Sequence, residues 1–278
     1  MVAFANNLKT AFLLGLLFAL IVFVGSFWGV QGMVVGGVIA VLMNFGAWFF
    51  SDKIAVASMQ GREVDERSAP ELIAMVRRLS ERAGLPMPRV YVCPHQAPNA
   101  FATGRSPRNA AVAVTEGALQ LLDRRELEGV MAHELAHVKN RDTLTSTIAA
   151  TVAGLFSMMA QMAFFFGAGN NREGGNPFAA LIAIIVGAVG AALIKAMISR
   201  SREFVADADG AAIAGAPDGL ISALAKLDAY AKRIPLDQPN PAMNNMFIIE
   251  PFSSAESLTN LFASHPPTAA RIRALRGG

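Results

Sequence analysis

Residues 10–51 carry no charged side chain. One helix needs about 20 apolar residues to cross a bilayer, so this run fits two spans. They fall near 10–28 and 31–50, with Gly25, Gly29 and Gly32 marking a tight turn between them. Two further uncharged runs, 143–171 and 174–194, predict spans near 144–168 and 177–195. Composition agrees. Only 16% of the chain is charged and its mean hydropathy is +0.41, against about 25% charge in an ordinary soluble domain. The first stretch has a basic residue and an apolar core, like a secretory leader. It lacks a small-residue cleavage site and a second apolar stretch follows at once, so it reads as a retained span.

Basic residues orient the spans. Of 24 Lys and Arg, Lys9 precedes the first span and Arg172 alone lies between the third and fourth. The others fall in 52–142 and from Lys195 onward. Loops rich in Lys and Arg stay on the cytoplasmic side. The N-terminus, residues 51–143 and the C-terminal region are therefore expected in the cytoplasm, with the two short loops outside. Four segments follow: a membrane hairpin (1–51), a cytoplasmic segment (52–143), a second hairpin (144–198) and a second cytoplasmic segment (199–278). The net charge of +3 is accounted for by this topology and by nearby anionic lipid. Nucleic acid is excluded as a partner, because no basic stripe with aromatic residues is present.

The segment 52–143 reads as helix, strands, helix. Ser68-Ala69-Pro70-Glu71 predicts a capping box opening a helix that Gly84 stops. Residues 89–93, 99–104 and 111–115 predict three strands of a small antiparallel sheet, with a turn around Arg105–Arg108. Cys93 is the only cysteine, which excludes an intrachain disulfide and agrees with a reducing compartment; it reads as a half-buried strand residue. His95, in a Pro-rich loop, is expected to be exposed and without a role. Asp123 with Glu126 predicts a second capping box, at the start of a helix running to Lys139. Further on, one helix is expected to continue from the fourth span to about Ile213, and another to cover 217–232.

On the helix from Asp123 lies His133-Glu134-Leu135-Ala136-His137. Residues four apart share a helix face, so both imidazoles can grip one Zn²⁺. Glu134, between them, is placed as general base for the attacking water. A catalytic zinc takes a third protein ligand and keeps one position open. Glu203 is the best candidate. Asp207, one turn later, can accept the spare N–H of a histidine ligand and fix its tautomer. For His265 and Arg271 two readings stand. They are a helix start and a solvated charge, or donors to the oxyanion formed at the substrate carbonyl.

These residues carry a resemblance. The run His133 to Asp142, a pair of spans and then Glu203-Phe204-Val205-Ala206-Asp207 resemble the HtpX-type membrane metalloproteases, as do Asn99–Gly104 and Ser264-His265-Pro266-Pro267. The similarity covers nearly the whole chain. It implies a mostly helical α+β membrane protein, with four transmembrane helices and a cytoplasmic zinc-metalloprotease domain. It implies an endopeptidase of the bacterial inner membrane, with one Zn²⁺ per chain, acting on misfolded membrane proteins. It also implies Glu203 as third ligand, and a strand Asn99, Ala100, Phe101, Ala102, Thr103, Gly104 that borders the cleft and pairs with substrate backbone. CAAX-type prenyl proteases share the metal motif but have more spans. An inactive scaffold would not need Glu134, and a metal transporter would place its ligands inside the spans. A loop at 234–262, with apolar Met243, Met246, Phe247, Ile248, Ile249 and Phe252, either packs over the soluble core or gates the cleft.

Overall fold

The computed structural model describes residues 2–26, 29–146, 148, 200–233 and 266–277. The fourth expected span, all of the third beyond residue 148, the 234–262 loop and His265 lie outside the described residues.

The chain opens with two long apolar helices, α1 (Val2–Ser26) and α2 (Gly29–Phe49). α1 begins well before its expected span, at Val2 rather than at 10, and the other bounds fall within two residues of those expected. α2 is long and apolar enough to cross a membrane, and α1 carries a shorter apolar stretch, Asn7–Phe23. Val30, Val34, Val38, Leu42 and Phe45 of α2 are exposed, as suits a lipid-facing surface. Of the three glycines expected at the turn only Gly29 makes it, with φ of 72°. Gly25 and Gly32 lie instead in the helix contact. A Cβ on Gly25 would stand 2.4 Å from the Gly32 carbonyl oxygen, so the helices touch through backbone.

A short helix α3 (Ser51–Ser58) leads into a four-stranded sheet of β1 (Arg62–Glu63), β2 (Arg89–Cys93), β3 (Ala100–Thr103) and β4 (Ala111–Thr115). The strand order is β1-β2-β4-β3. The sheet is mixed, which corrects the antiparallel expectation. β2 and β4 run parallel, Val90 opposite Val112, while β3 pairs antiparallel with β4. The chain crosses over between β2 and β3, leaving room for β4 between them. Every residue of β4 is buried, because both of its faces are covered. Val112 and Val114, just ahead of the short α5 (Glu116–Leu121), join the core formed with α4 (Pro70–Ala83) and α6 (Arg124–Lys139). Ala111 and Ala113 face Ala55, Val56 and Met59 of α3. A salt bridge from Arg89 to buried Asp52 ties α3 to the sheet.

Three local expectations also change. The box at Ser68–Glu71 does not form. Ala69 is the N-cap, and the Ser68 hydroxyl is committed to the Asp65 carboxylate at 2.8 Å in the preceding turn. Cys93 is fully buried, between sheet and α3. His95 is half-buried, its Nε2 3.1 Å from the Met59 carbonyl, so the loop that carries it is pinned to the end of α3.

The second expected box does form. Asp123 accepts from the Glu126 amide and Glu126 from the Asp123 amide. Buried Glu126 also accepts from Lys226 at 2.6 Å and Ser222 at 2.7 Å on α8 (Asp218–Arg233). Burial works against its charge, and these donors outweigh that and hold its pKa below the usual range. The start of α6 is thus fixed to α8. Along its length α6 also packs on α7 (Arg200–Ala214), and α7 in turn on α9 (Thr268–Gly277).

Candidate metal centre

The site forms where α6 crosses α7. His133 and His137 project from α6, and Glu203 and Asp207 from the facing side of α7. Gly210, seven residues after Glu203, sits at the crossing. A Cβ there would lie 2.8 Å from His133 Cα. Two helix backbones at that separation bring short acidic side chains onto the imidazoles.

His133 Nε2 and His137 Nε2 lie 3.2 Å apart. Glu203 Oε1 is 3.5 Å from His137 Nε2, and its Oε2 is 3.7 Å from His133 Nε2. Among the described residues these three side chains form the one cluster of His, Cys, Asp or Glu close enough to share a cation. With Zn–N bonds of about 2.0–2.1 Å, the edge of a tetrahedral site is about 3.3 Å. The observed separations fall near that edge.

The opposite ring nitrogens explain why both lone pairs point inward. His137 Nδ1 is 3.2 Å from Asp142 Oδ2. His133 Nδ1 is 3.0 Å from Asp207 Oδ1, although out of line for a straight hydrogen bond. A carboxylate at Nδ1 keeps the proton there and leaves Nε2 as a lone pair. Two lone pairs facing each other call for a proton or a metal ion between them, and Arg271 Nη2 also stands 3.4 Å from His133 Nε2. The charges say the same. Burial opposes protonation of His137, yet Asp142, Glu203 and Glu134 outweigh it and lift its pKa to about 9. The cluster calls for positive charge, and its nitrogen and carboxylate donors suit a borderline divalent metal.

Glu134 points to the other side of α6, toward the sheet. Its Oε2 accepts a 2.8 Å hydrogen bond from the Ala102 amide on β3. Burial pushes its carboxyl above the usual range, against the pull of the two imidazoles. β3 is the edge strand beside this carboxylate. Of the six residues expected at the cleft, Ala102 meets Glu134. Asn99 is held by its amide to Thr115 Oγ1 at 2.8 Å, and Phe101 is buried in the core on the α3 side. The Gly104 carbonyl accepts from Thr143.

Arg271 is 1% exposed, which rules out the solvated-charge reading. Its Nε and Nη2 grip Asp207 at 2.9 and 2.7 Å, and its Nη1 lies 3.7 Å from Glu203. Burial would raise the Asp207 pKa, but Arg271 and His133 reverse that and hold it down at about 2. Reasoning from the sequence missed Asp142, which supports His137 as Asp207 supports His133. It also missed Arg202, whose Nη1 is 3.3 Å from Asp142 Oδ1. The available signal was a carboxylate five residues after the second histidine, just beyond the helix end.

Residues 66–278 match the model of peptidase family M48. The chain belongs to this family. It is 49% identical to a protein named Protease HtpX homolog from Desulforapulum autotrophicum, over 98% of this chain and 90% of that protein. It is 51% identical to one of the same name from Desulfatibacillum aliphaticivorans, over 98% and 89%, and 49% identical to another from Nostoc punctiforme, over 97% and 95%. Its fold is similar to the crystal structure of Ste24p from S. mikatae. The TM-score is 0.53 at 15% identity, over 98% of this chain and 66% of that one. The M48 chain is thus a metalloprotease, a hydrolase of peptide bonds, and its His133–His137–Glu203 cluster could hold a metal ion.

Proposed function

We propose that this M48 peptidase is a zinc endopeptidase of the bacterial inner membrane that cleaves misfolded membrane proteins. The observation that carries the reading is the convergence of two carboxylate-backed imidazoles and Glu203 beside the buried Glu134. When bound, zinc lowers the pKa of a coordinated water and polarises the scissile carbonyl. Glu134 takes the proton of the attacking water and returns it to the leaving amine. The Ala102 amide keeps that carboxylate aimed during both transfers. Arg271 and Asp207 hold His133 and Glu203 in place. A substrate in extended form adds to the edge β3, reading backbone more than side chains, which suits unfolded segments of varied sequence. His265, outside the described residues, is kept from the sequence as the candidate oxyanion donor.

Four spans bracket two cytoplasmic segments, 52–143 and 199–278, with both termini in the cytoplasm. The apolar α2 and the distribution of basic residues support this topology. The site then lies just below the membrane, where damaged spans emerge.

The test is zinc content together with proteolysis of an unfolded membrane protein in detergent, wild type against Glu134→Gln. Wild type should hold one zinc and cleave; the variant should hold one zinc and not cleave. Cleavage by the variant would remove Glu134 as base; a wild type that holds zinc and does not cleave would favour the inactive-scaffold or transporter alternatives.

A further inference from the structure

The turn after α6 does more than end the helix. Arg141 takes φ of 57°, the left-handed region that a non-glycine residue rarely adopts. It swings the chain so that Asp142 faces back onto His137. Three of the next four side chains then tether to different parts of the molecule. Asp142 places Oδ2 on His137 Nδ1 and Oδ1 on Arg202 of α7, the residue just before Glu203. Thr143 donates to the Gly104 carbonyl at 3.0 Å, at the end of the strand whose Ala102 amide holds Glu134. Thr145 Oγ1 is 3.0 Å from Thr10 Oγ1 of α1, and both are buried. Lys9, beside Thr10, acts electrostatically on both Asp142 and Arg202.

Residues 142–145, helical again after Arg141, therefore touch a metal-site histidine, the helix that carries Glu203, the strand beside the base, and the first membrane helix. We infer that residues 142–145 are a positioning device that links the packing of α1 to the geometry of the metal centre, with Arg202 and Thr10 as its positioning residues. Arg202 neutralises and aims Asp142, and Asp142 aims His137. Without Arg202, Asp142 is a buried carboxylate with less to fix its direction, and His137 is free to rotate. Thr10 ties α1 to the same turn, so a misplaced α1 loosens the site. The inference rests on the metal reading of the preceding section.

The experiment uses the full chain in detergent and Zn²⁺ in competition with a chromogenic chelator. It is read beside the unfolding midpoint of the metal-stripped protein and kcat and KM on a peptide. Outer supports of metal-ligating histidines are worth about 10–100-fold in metal affinity. Arg202→Met and Asp142→Asn should each weaken zinc retention by about that factor, lower kcat and leave KM near wild type. Arg202→Lys should recover part of the loss. The double variant should be no worse than the worse single one, because both act through one contact. Thr10→Val should loosen zinc a few-fold. Arg202→Met with wild-type retention, or a double variant whose losses multiply, would overturn the assignment. If Arg202→Met fails to fold, Arg202→Lys and Thr10→Val decide. Wild-type retention in both would overturn the link. A wild-type protein that binds no zinc would instead overturn the metal reading on which the link depends.

Discussion

The α1–α2 hairpin and the α6–α7 crossing are both close helix contacts built around glycine, yet they hold together by different means. In the hairpin, Gly25 lies against the Gly32 carbonyl, large apolar side chains face outward, and Asn44 Nδ2 donates to the Leu14 carbonyl at 2.9 Å. At the crossing, Gly210 lies against His133, and the gap is filled by Glu203, Asp207 and Arg271, all nearly inaccessible. Helices in lipid gain little from burying apolar groups and associate through close packing and a few polar contacts. Buried charges in a soluble core need partners and are fixed by them. The hairpin can therefore tolerate more rearrangement than the crossing, because the crossing itself holds ring nitrogens and carboxylates at set distances, whereas the hairpin reaches them through Thr10.

The strongest way to break the contrast is at the base. Glu134→Gln keeps shape and packing but takes no proton. Turnover should fall by at least the ~10²–10⁴ typical of acid–base groups, with metal content unchanged, as measured by peptide cleavage beside metal analysis. Next is Arg271→Ala. Its guanidinium grips Asp207 and stands 3.4 Å from His133 Nε2 and 3.7 Å from Glu203, so zinc affinity should drop by about 10–100-fold along with activity. A loss of turnover at unchanged zinc content would instead make Arg271 an oxyanion donor, the alternative open at the sequence level.

Two matched glycine substitutions sharpen the comparison. Gly210→Ala puts a Cβ 2.8 Å from His133 Cα. It should destabilise by the roughly 1–3 kcal/mol of an overpacked contact and weaken zinc binding as well. Gly25→Ala puts one 2.4 Å from the Gly32 carbonyl oxygen, and should disturb the hairpin while loosening zinc at most a few-fold, since α1 acts on the site through Thr10 and Thr145. Thermal unfolding and chelator competition on both variants separate the two outcomes. The smallest effect is expected at Cys93. Burial pushes its thiol up to about 11, so a maleimide should fail to label the folded protein and label it fully after denaturation.

Much of the crossing was legible in the sequence. The four-residue spacing of His133 and His137, and of Glu203 and Asp207, is a helical period, and helical periods survive in one dimension. The same holds for the Asp123–Glu126 box. The sheet was not legible in the same way. Residues 89–93, 99–104 and 111–115 each alternate as strands do, but nothing in their order says that β4 enters between β2 and β3. That arrangement is set by the crossover and by the cover on both faces of β4. Ser68 misled because Asp65, three residues earlier, competes for its hydroxyl. Asp142 and Arg202 escaped notice because each reads as a surface charge at a helix end. Only the left-handed turn at Arg141 and the meeting of α6 with α7 bring them together.

X-ray absorption at the zinc edge of the metal-loaded chain tests the central claim most directly. The metal site read from the structure predicts two imidazole nitrogens and oxygen donors, metal–ligand distances of about 2.0–2.2 Å and no sulfur. In Glu203→Ala it predicts loss of the carboxylate signal or loss of the metal. A spectrum unchanged by Glu203→Ala, or one with fewer than two imidazoles, would contradict it.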